Sequence, residues 1–259
     1  MQYKDKVVIV TGGTKGIGLG CVRAFFDAGS TVVFCARKQE EGETVAAELS
    51  SIGEAYFVKC DVSKPDEIQN LINRTIEKYG RIDCVVNNAG WHPPHRPIDD
   101  FSIEEFREVL DLNLVSIFAA CKFALPHIRK TRGNIINMSS LVGIMGQVHA
   151  VTYVASKGAI SAFTKALAID EAEHGVRVNS VTPGNIYTPL WQDAIDASDD
   201  PAKTRAEGDA AQLLGRMGTI EEAGKLCVFI AAEATFTTGV DHIISGGAEL
   251  GYGHKSRVG

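Results

Sequence analysis

Tyr153 stands four residues before Lys157, and Ser140 precedes Tyr153 by thirteen. On a helix the four-residue spacing sets the phenol and the ammonium on one face, a turn apart. An ammonium beside a phenol favours the phenolate and draws the tyrosine pKa down from its ordinary ~10. A tyrosine tuned in this way exchanges a proton with an alcohol oxygen, and a facing serine hydroxyl can hold the same oxygen. The chemistry is interconversion of an alcohol and a ketone, given a hydride carrier nearby. The same spacing also arises where a tyrosine packs and a lysine is solvated. The elements that would bring a coenzyme to the pair therefore decide what it means.

Those elements alternate. β-Branched apolar runs recur at Val7–Thr11, Thr31–Ala36, Ala55–Cys60, Ile82–Asn88, Asn134–Ser139, Val176–Thr182 and Asp241–Ser245. Helical periodicity fills the intervals at about Ile17–Ala28, Lys38–Ser51, Pro65–Tyr79, Ser102–Lys130, Thr152–His174 and Ile220–Ala231. Near-continuous apolar strands alternating with helices predict an α/β fold. The expectation is a Rossmann-type doubly wound parallel sheet of about seven strands with helices on both faces. No linker or repeat divides the chain, so residues 1–259 read as one dinucleotide-binding catalytic domain. Residues 188–214 break the alternation with Asp193, Asp196, Asp199, Asp200 and Pro201. They read as a mobile insertion over the site or as a solvated excursion. A tail, 246–259, follows the last strand.

The chain has 259 residues, 45% hydrophobic and 22% charged, enough to bury one large core. A net charge of −6 without a basic block argues against nucleic acid or an anionic membrane as partner. Met1–Lys6 leads directly into a strand, and no apolar run reads as long enough to span a bilayer. The six cysteines are scattered without a C-x-x-C, as expected of reduced thiols in a cytoplasmic protein. The seven histidines show no ligand spacing, so no metal is expected.

In an open parallel sheet, ligands bind beyond the carboxyl ends of the strands. After the first strand, Gly12, Gly16 and Gly18 leave room for a pyrophosphate, and the helix opening at Ile17 offers its N-terminus to the anion. After the second, Ala36 cannot accept from a ribose diol, whereas the Arg37 fork suits a 2′-phosphate and Lys15 adds a second charge. NADP is the favoured coenzyme on these residues, with NAD the alternative. After the third, Asp61, followed by Val62, can accept from an adenine amino group. After the fourth, Asn88, Ala89 and Gly90 let a coenzyme lie against the backbone. After the sixth, the turn Pro183-Gly184-Asn185-Ile186-Tyr187-Thr188 offers backbone groups and the Thr188 hydroxyl to a carboxamide, with Leu190 just beyond.

The Thr11-Gly-x-x-x-Gly-x-Gly18 turn, Asn87-Asn-Ala-Gly90, Asn113, Ser140, Tyr153-x-x-x-Lys157 and Pro183-Gly184 occur in one order and spacing. On them, the chain resembles the short-chain dehydrogenase/reductase family over its whole length. The resemblance implies that Tyr153 is the general acid/base. It implies that Lys157 tunes that tyrosine and binds the nicotinamide ribose, that Ser140 holds the substrate oxygen and that Asn113 supports a proton relay. It also implies a homo-oligomer, a tetramer. Cys84–Gly90, Ser139–Gly143, Pro183–Ile186 with Thr188–Trp191, and Gly246–Gly253 are most similar to members acting on 17β-hydroxysteroids or L-fucose. By that likeness His92, Gln147, Trp191 and Tyr252 line the substrate pocket. Trp191, Leu190 and Tyr252 suit a flat steroid, while His92, Gln147 and Asn185 can hydrogen-bond a sugar. A general carbonyl or 3-oxoacyl reductase and a non-catalytic binding member are the alternatives.

Overall fold

The computed structural model describes residues 2–50 and 53–250. Ser51, the expected end of the second helix, and the tail from residue 251, which contains Tyr252, lie outside them. Seven parallel strands form one sheet in the order β3-β2-β1-β4-β5-β6-β7. They are β1 (Val7–Thr11), β2 (Thr31–Ala36), β3 (Ala55–Lys59), β4 (Cys84–Asn87), β5 (Asn134–Met138), β6 (Arg177–Pro183) and β7 (Asp241–Ile244). Each lies on a run expected from the sequence, with ends that move by a residue or two.

Every residue of β1 is buried, and its side chains alternate between two cores. Val7 and Ile9 face one side with Ile68, Leu71, Ile117 and Ile160. Val8 and Val10 face the other with Val22, Phe25, Val228 and Ile230. This period of two explains why the strand reads as unbroken Val and Ile: both faces are covered. The first core lies under α3 (Pro65–Tyr79) and the later helix α7 (Val151–Glu171), the second under α1 (Gly16–Asp27) and α10 (Ile220–Ala232). Local chemistry sets the helix ends. Pro65 opens α3 and Gly80 closes it at φ +72°. The Ser102 and Glu105 side chains cap each other's backbone N–H at the start of α4 (Ile103–Leu110).

The expected single helix after residue 102 runs continuously through α4 and α5 (Ser116–Thr131), with a π turn at Asp111–Val115 between them. One extra residue in that turn shifts the helix register. By length and hydropathy the 29-residue stretch Ile103–Thr131 is apolar enough to cross a membrane, which corrects the expectation that no run suffices. Half of its most apolar window is buried inside the protein, where α5 packs on α3.

Neighbouring connections reverse direction between β1 and β4, which opens a crevice at the carboxyl ends of these strands. The short helix α6 (Val142–Met145) and α7 follow β5, while α8 (Pro189–Asp196) and α9 (Pro201–Ala210) form the insertion after β6. The remaining helix, α2 (Gln39–Ser50), joins β2 to β3. All six cysteines are buried and free.

Candidate active site

The turn after β1 is held from the strand beside it. Thr11 Oγ1 accepts from the backbone N–H groups of Asn88 and Ala89, both at 3.0 Å. The Asn88 amide donates to Thr11 O at 3.0 Å and to Gly12 O at 3.2 Å. Asn88 thus shapes the glycine turn with its side chain as well as bordering it. Gly12 sits at φ +67°, and a Cβ on Gly18 would stand 2.1 Å from Gly12 O. A side chain at either position would displace this backbone. Gly16 lies beside the Thr188 side chain, which brings the start of the insertion to the first turn of α1. Ile17 packs on the second core. The first turn of α1 carries no acidic residue and no side-chain cap at Lys15, so its N–H groups stay open to an anion. These residues fit a dinucleotide phosphate.

Beyond β2, Ala36 O accepts from Cys60 N at 3.0 Å, and Arg37 is exposed. Among the described residues neither Arg37 nor Lys15 has an ion-pair partner within 4.0 Å. Lys38 instead pairs with Glu41 at 2.6 Å. Burial alone would raise the Asp61 carboxyl. Ser63 donates to it twice, and the charges of Arg37 and Lys64 add to that, so it stays below the usual carboxylate value. Val62 is buried in the first core.

Tyr153 and Lys157 lie one turn apart on α7, with Lys157 Nζ 5.6 Å from the phenol ring centroid. Lys157 is 4% exposed, and its ammonium donates to Met138 O at 2.8 Å. Burial lowers its pKa to about 8. Burial likewise pushes the Tyr153 phenol up to about 12, against a hydrogen bond with Ser140 that lowers it. This corrects the expectation that Lys157 pulls the phenol down. In the protein alone burial sets the direction of the phenol's shift and Ser140 opposes it. Ser139 Oγ donates to Lys157 O at 2.9 Å and fastens the end of β5 to α7.

Asn113, in the π turn, is fully buried. Its amide donates to Trp91 O at 2.9 Å and to Ser156 Oγ at 3.1 Å, and its Oδ1 accepts from Trp91 N at 2.8 Å. Ser156 in turn donates to Tyr153 O at 2.7 Å. A Cβ on Gly90 would come within 3.2 Å of Asn113 Oδ1 and 3.5 Å of Lys157 Nζ, so Gly90 borders both.

On the open side the His92 ring lies 4.1 Å, centroid to centroid, from that of Tyr153, and its Nε2 is 3.2 Å from the Gln147 amide. Trp191 rests instead beside Gly208 of α9. Asn185 donates to Gly208 O at 3.1 Å, which ties the turn after β6 to α9. Pro183 O accepts from Leu141 N at 2.8 Å, and Gly184 N donates to Ile244 O at 2.9 Å. These bonds tie the turn after β6 to both neighbouring strand ends. Ile186 is buried, and Leu190 is 60% exposed.

Sequence reasoning passed over Thr11, Ser139 and Ser156, whose hydroxyls hold the machinery without reaching out of it, and His95, which stacks on His92 at 4.9 Å. Spacing signals only Ser156, three residues after Tyr153 and so on its helical face. The arrangement supplies an acid/base phenol, a hydroxyl beside it and a buried ammonium below a crevice that fits a dinucleotide.

The profile described as short chain dehydrogenase matches residues 6–199. L-fucose dehydrogenase of Bos taurus is 51% identical over 255 residues, covering 98% of this chain and 93% of its own. 3beta-hydroxysteroid dehydrogenase 1 of Eggerthella lenta is 37% identical, covering 96% and 95%. Among solved structures, L-sorbose reductase from Gluconobacter frateurii, complexed with NADPH and L-sorbose, superposes with a TM-score of 0.91 at 25% identity, covering 96% and 98%.

Proposed function

The chain belongs to the short chain dehydrogenase family and is an oxidoreductase; on that premise we propose that it oxidises a hydroxyl of an L-fucose-type sugar, with NADP preferred over NAD. The observation that carries the reading is Tyr153, flanked by Ser140 and with Lys157 a turn away, at the mouth of a dinucleotide crevice. A bound nicotinamide coenzyme supplies the hydride chemistry of the family. The chain's own residues handle the proton. Ser140 holds the substrate oxygen beside the Tyr153 hydroxyl. In oxidation Tyr153 takes the alcohol proton as phenolate, its own proton having passed to solvent through the relay; in reduction the phenol gives its proton to the carbonyl oxygen. Lys157, held by Met138 O and 5.6 Å from the Tyr153 ring centroid, is charged below pH about 8 and binds the ribose. Asn113 fixes the backbone at Trp91 from the π turn and supports the relay behind Lys157.

Gly12, Gly16, Ile17 and Gly18 shape the pyrophosphate turn, with Asn88, Ala89 and Gly90 on its flank. Asp61 and Val62 border the adenine, and Pro183, Gly184, Ile186, Thr188 and Leu190 face the carboxamide. NADP preference rests on the unpaired Arg37 and Lys15 beside Ala36, which has no acid for a ribose diol. The sugar reading rests on the relatives and on His92 and Gln147 above Tyr153.

A steroid alcohol is the second reading. Exposed Met145, Val148, Leu190 and Leu250, each following a strand end, would suit an apolar body, and a hydroxysteroid dehydrogenase is among the relatives. Initial rates with L-fucose and with estradiol, each with NAD and NADP, test both readings. Turnover of estradiol alone overturns the sugar, and tenfold tighter NAD than NADP, about 1.4 kcal/mol, overturns the coenzyme preference. A homo-oligomer, a tetramer by family likeness, is supported by exposed Phe118 on α5 and Ile169 on α7, and sedimentation tests it.

A further inference from the structure

Two loops meet above Tyr153. Residues 91–97 follow β4, and residues 146–150 lie between α6 and α7. His92 Nε2 reaches the Gln147 amide at 3.2 Å, and Arg96 N donates to His149 O at 2.8 Å. His149 sits at φ +57°, in the left-handed region.

The hydrogen bonds fix the state of His92. Its Nδ1 lies 2.5 Å from Pro93 O, and a carbonyl only accepts, so Nδ1 carries the proton. In the neutral ring Nε2 is then an acceptor. It cannot bond another acceptor, so the Gln147 amide turns its NH2 group to Nε2 and leaves its carbonyl free. Nε2 is then taken up, and the Gln147 carbonyl is the acceptor offered to a hydroxyl. That offer stands beside Tyr153, because the His92 and Tyr153 ring centroids are only 4.1 Å apart. The His92 ring is also covered by His95, at 4.9 Å and nearly parallel at 12°. Partial burial holds the His95 ring below the ordinary histidine value, with the charges of His92 and His149 adding to the effect.

We propose that His95 is a positioning residue: stacked on His92, it holds the His92 ring over Tyr153, so that Nε2 fixes the Gln147 amide and the free Gln147 carbonyl reads a hydroxyl next to the reacting carbon. This rests on the dehydrogenase reading and deepens it, because L-fucose carries such a neighbouring hydroxyl. Ligands without the hydroxyl would leave this carbonyl without that partner. His95 is exposed, so its replacement spares the core.

Kinetics with meso-2,3-butanediol, 2-butanol and L-fucose decide it, using the full chain with saturating coenzyme. His95→Ala is expected to raise KM for the diol and for L-fucose about tenfold, with kcat held within about twofold and 2-butanol unaffected. His95→Phe, which keeps a flat ring over His92, is expected to recover most of that KM. Equal losses on the diol and on 2-butanol overturn the proposal, as does an unchanged KM for the diol or a Phe variant no better than Ala. A wild-type protein that oxidises the diol but not L-fucose overturns the sugar reading alone, and the diol against 2-butanol then still decides His95. No turnover of any of the three overturns both.

Discussion

Behind Tyr153, the side chains of Asn113, Ser156 and Lys157 are at most 4% exposed, and each is hydrogen-bonded to another loop, strand or helix turn. In front of it, His95 and Gln147 are exposed, and the two loops that carry them are joined by a few bonds between neighbours. The wall is built so that a change in one residue strands a buried partner. The rim is built so that a change alters what is recognised and little else. The proposed reaction therefore sits in the part of the fold that costs most to alter, and the proposed choice of substrate sits where alteration is cheap.

The sharpest way to break this contrast is at the phenol. Tyr153→Phe removes the proton carrier and keeps the ring. It should lower kcat by about 10³-fold or more, within the range of general acid–base catalysis, and leave the melting temperature nearly unchanged. Turnover near normal in steady-state assays would refute the role given to the wall. Asn113→Ala leaves the Trp91 backbone N–H and the Ser156 hydroxyl without their partner. Urea unfolding should show a loss of about 2–3 kcal/mol, against less than about 0.5 kcal/mol for His95→Ala on the rim. Equal losses would erase the distinction between the two regions.

Arg37 tests whether the coenzyme side behaves like wall or rim. Because it is exposed and unpaired, Arg37→Ser should weaken NADPH binding about tenfold, about 1.4 kcal/mol, and leave NADH binding unchanged. Fluorescence titration of the two reduced coenzymes reads this directly.

The smallest effect is a pH signature of the wall. The Lys157 pKa is about 8 in the folded chain and 10.5 ordinarily, so between those values the unfolded state binds more protons. Stability contributed by this residue must then rise with pH across that window. Wild type should gain on Lys157→Met by about 1 kcal/mol between pH 8 and pH 9.5, read from paired thermal melts. Tyr153 acts in the opposite sense, because its pKa is about 12 against an ordinary 10 and the folded state holds the extra proton above pH 10. A gap that does not change with pH would mean that Lys157 is not desolvated.

Much of the wall was legible in the sequence and little of its mechanics was. The seven strands and the glycine turn followed from Val and Ile runs and from Gly12, Gly16 and Gly18, because the period and the missing Cβ are local properties. Asn113 came only through family likeness. Nothing in Asp111–Val115 announces a π turn, and without that turn the residue reads as one more polar position on a long helix. That Asn185 also ties the turn after β6 to α9 was not legible, since its partner is a carbonyl 23 residues away. The stack of His95 on His92 was not legible either, because it depends on how the loop that carries both folds back on itself.

By itself the sequence determined the periodicity, and with it the doubly wound sheet, the strand ends and the residue types able to move a proton and accept a phosphate. Spacing of 2 and 3.6 residues is written in the chain, and chemistry at strand ends follows from it. Only the tertiary structure decided the electrostatics and the partners. It buried Lys157 and half-buried Tyr153, and desolvation turned the expected pKa shift of the phenol upward. It also spent Asn88 on the glycine turn and set His95 on His92. Burial and long-range hydrogen bonds are sums over the whole fold, and no local stretch of sequence contains them.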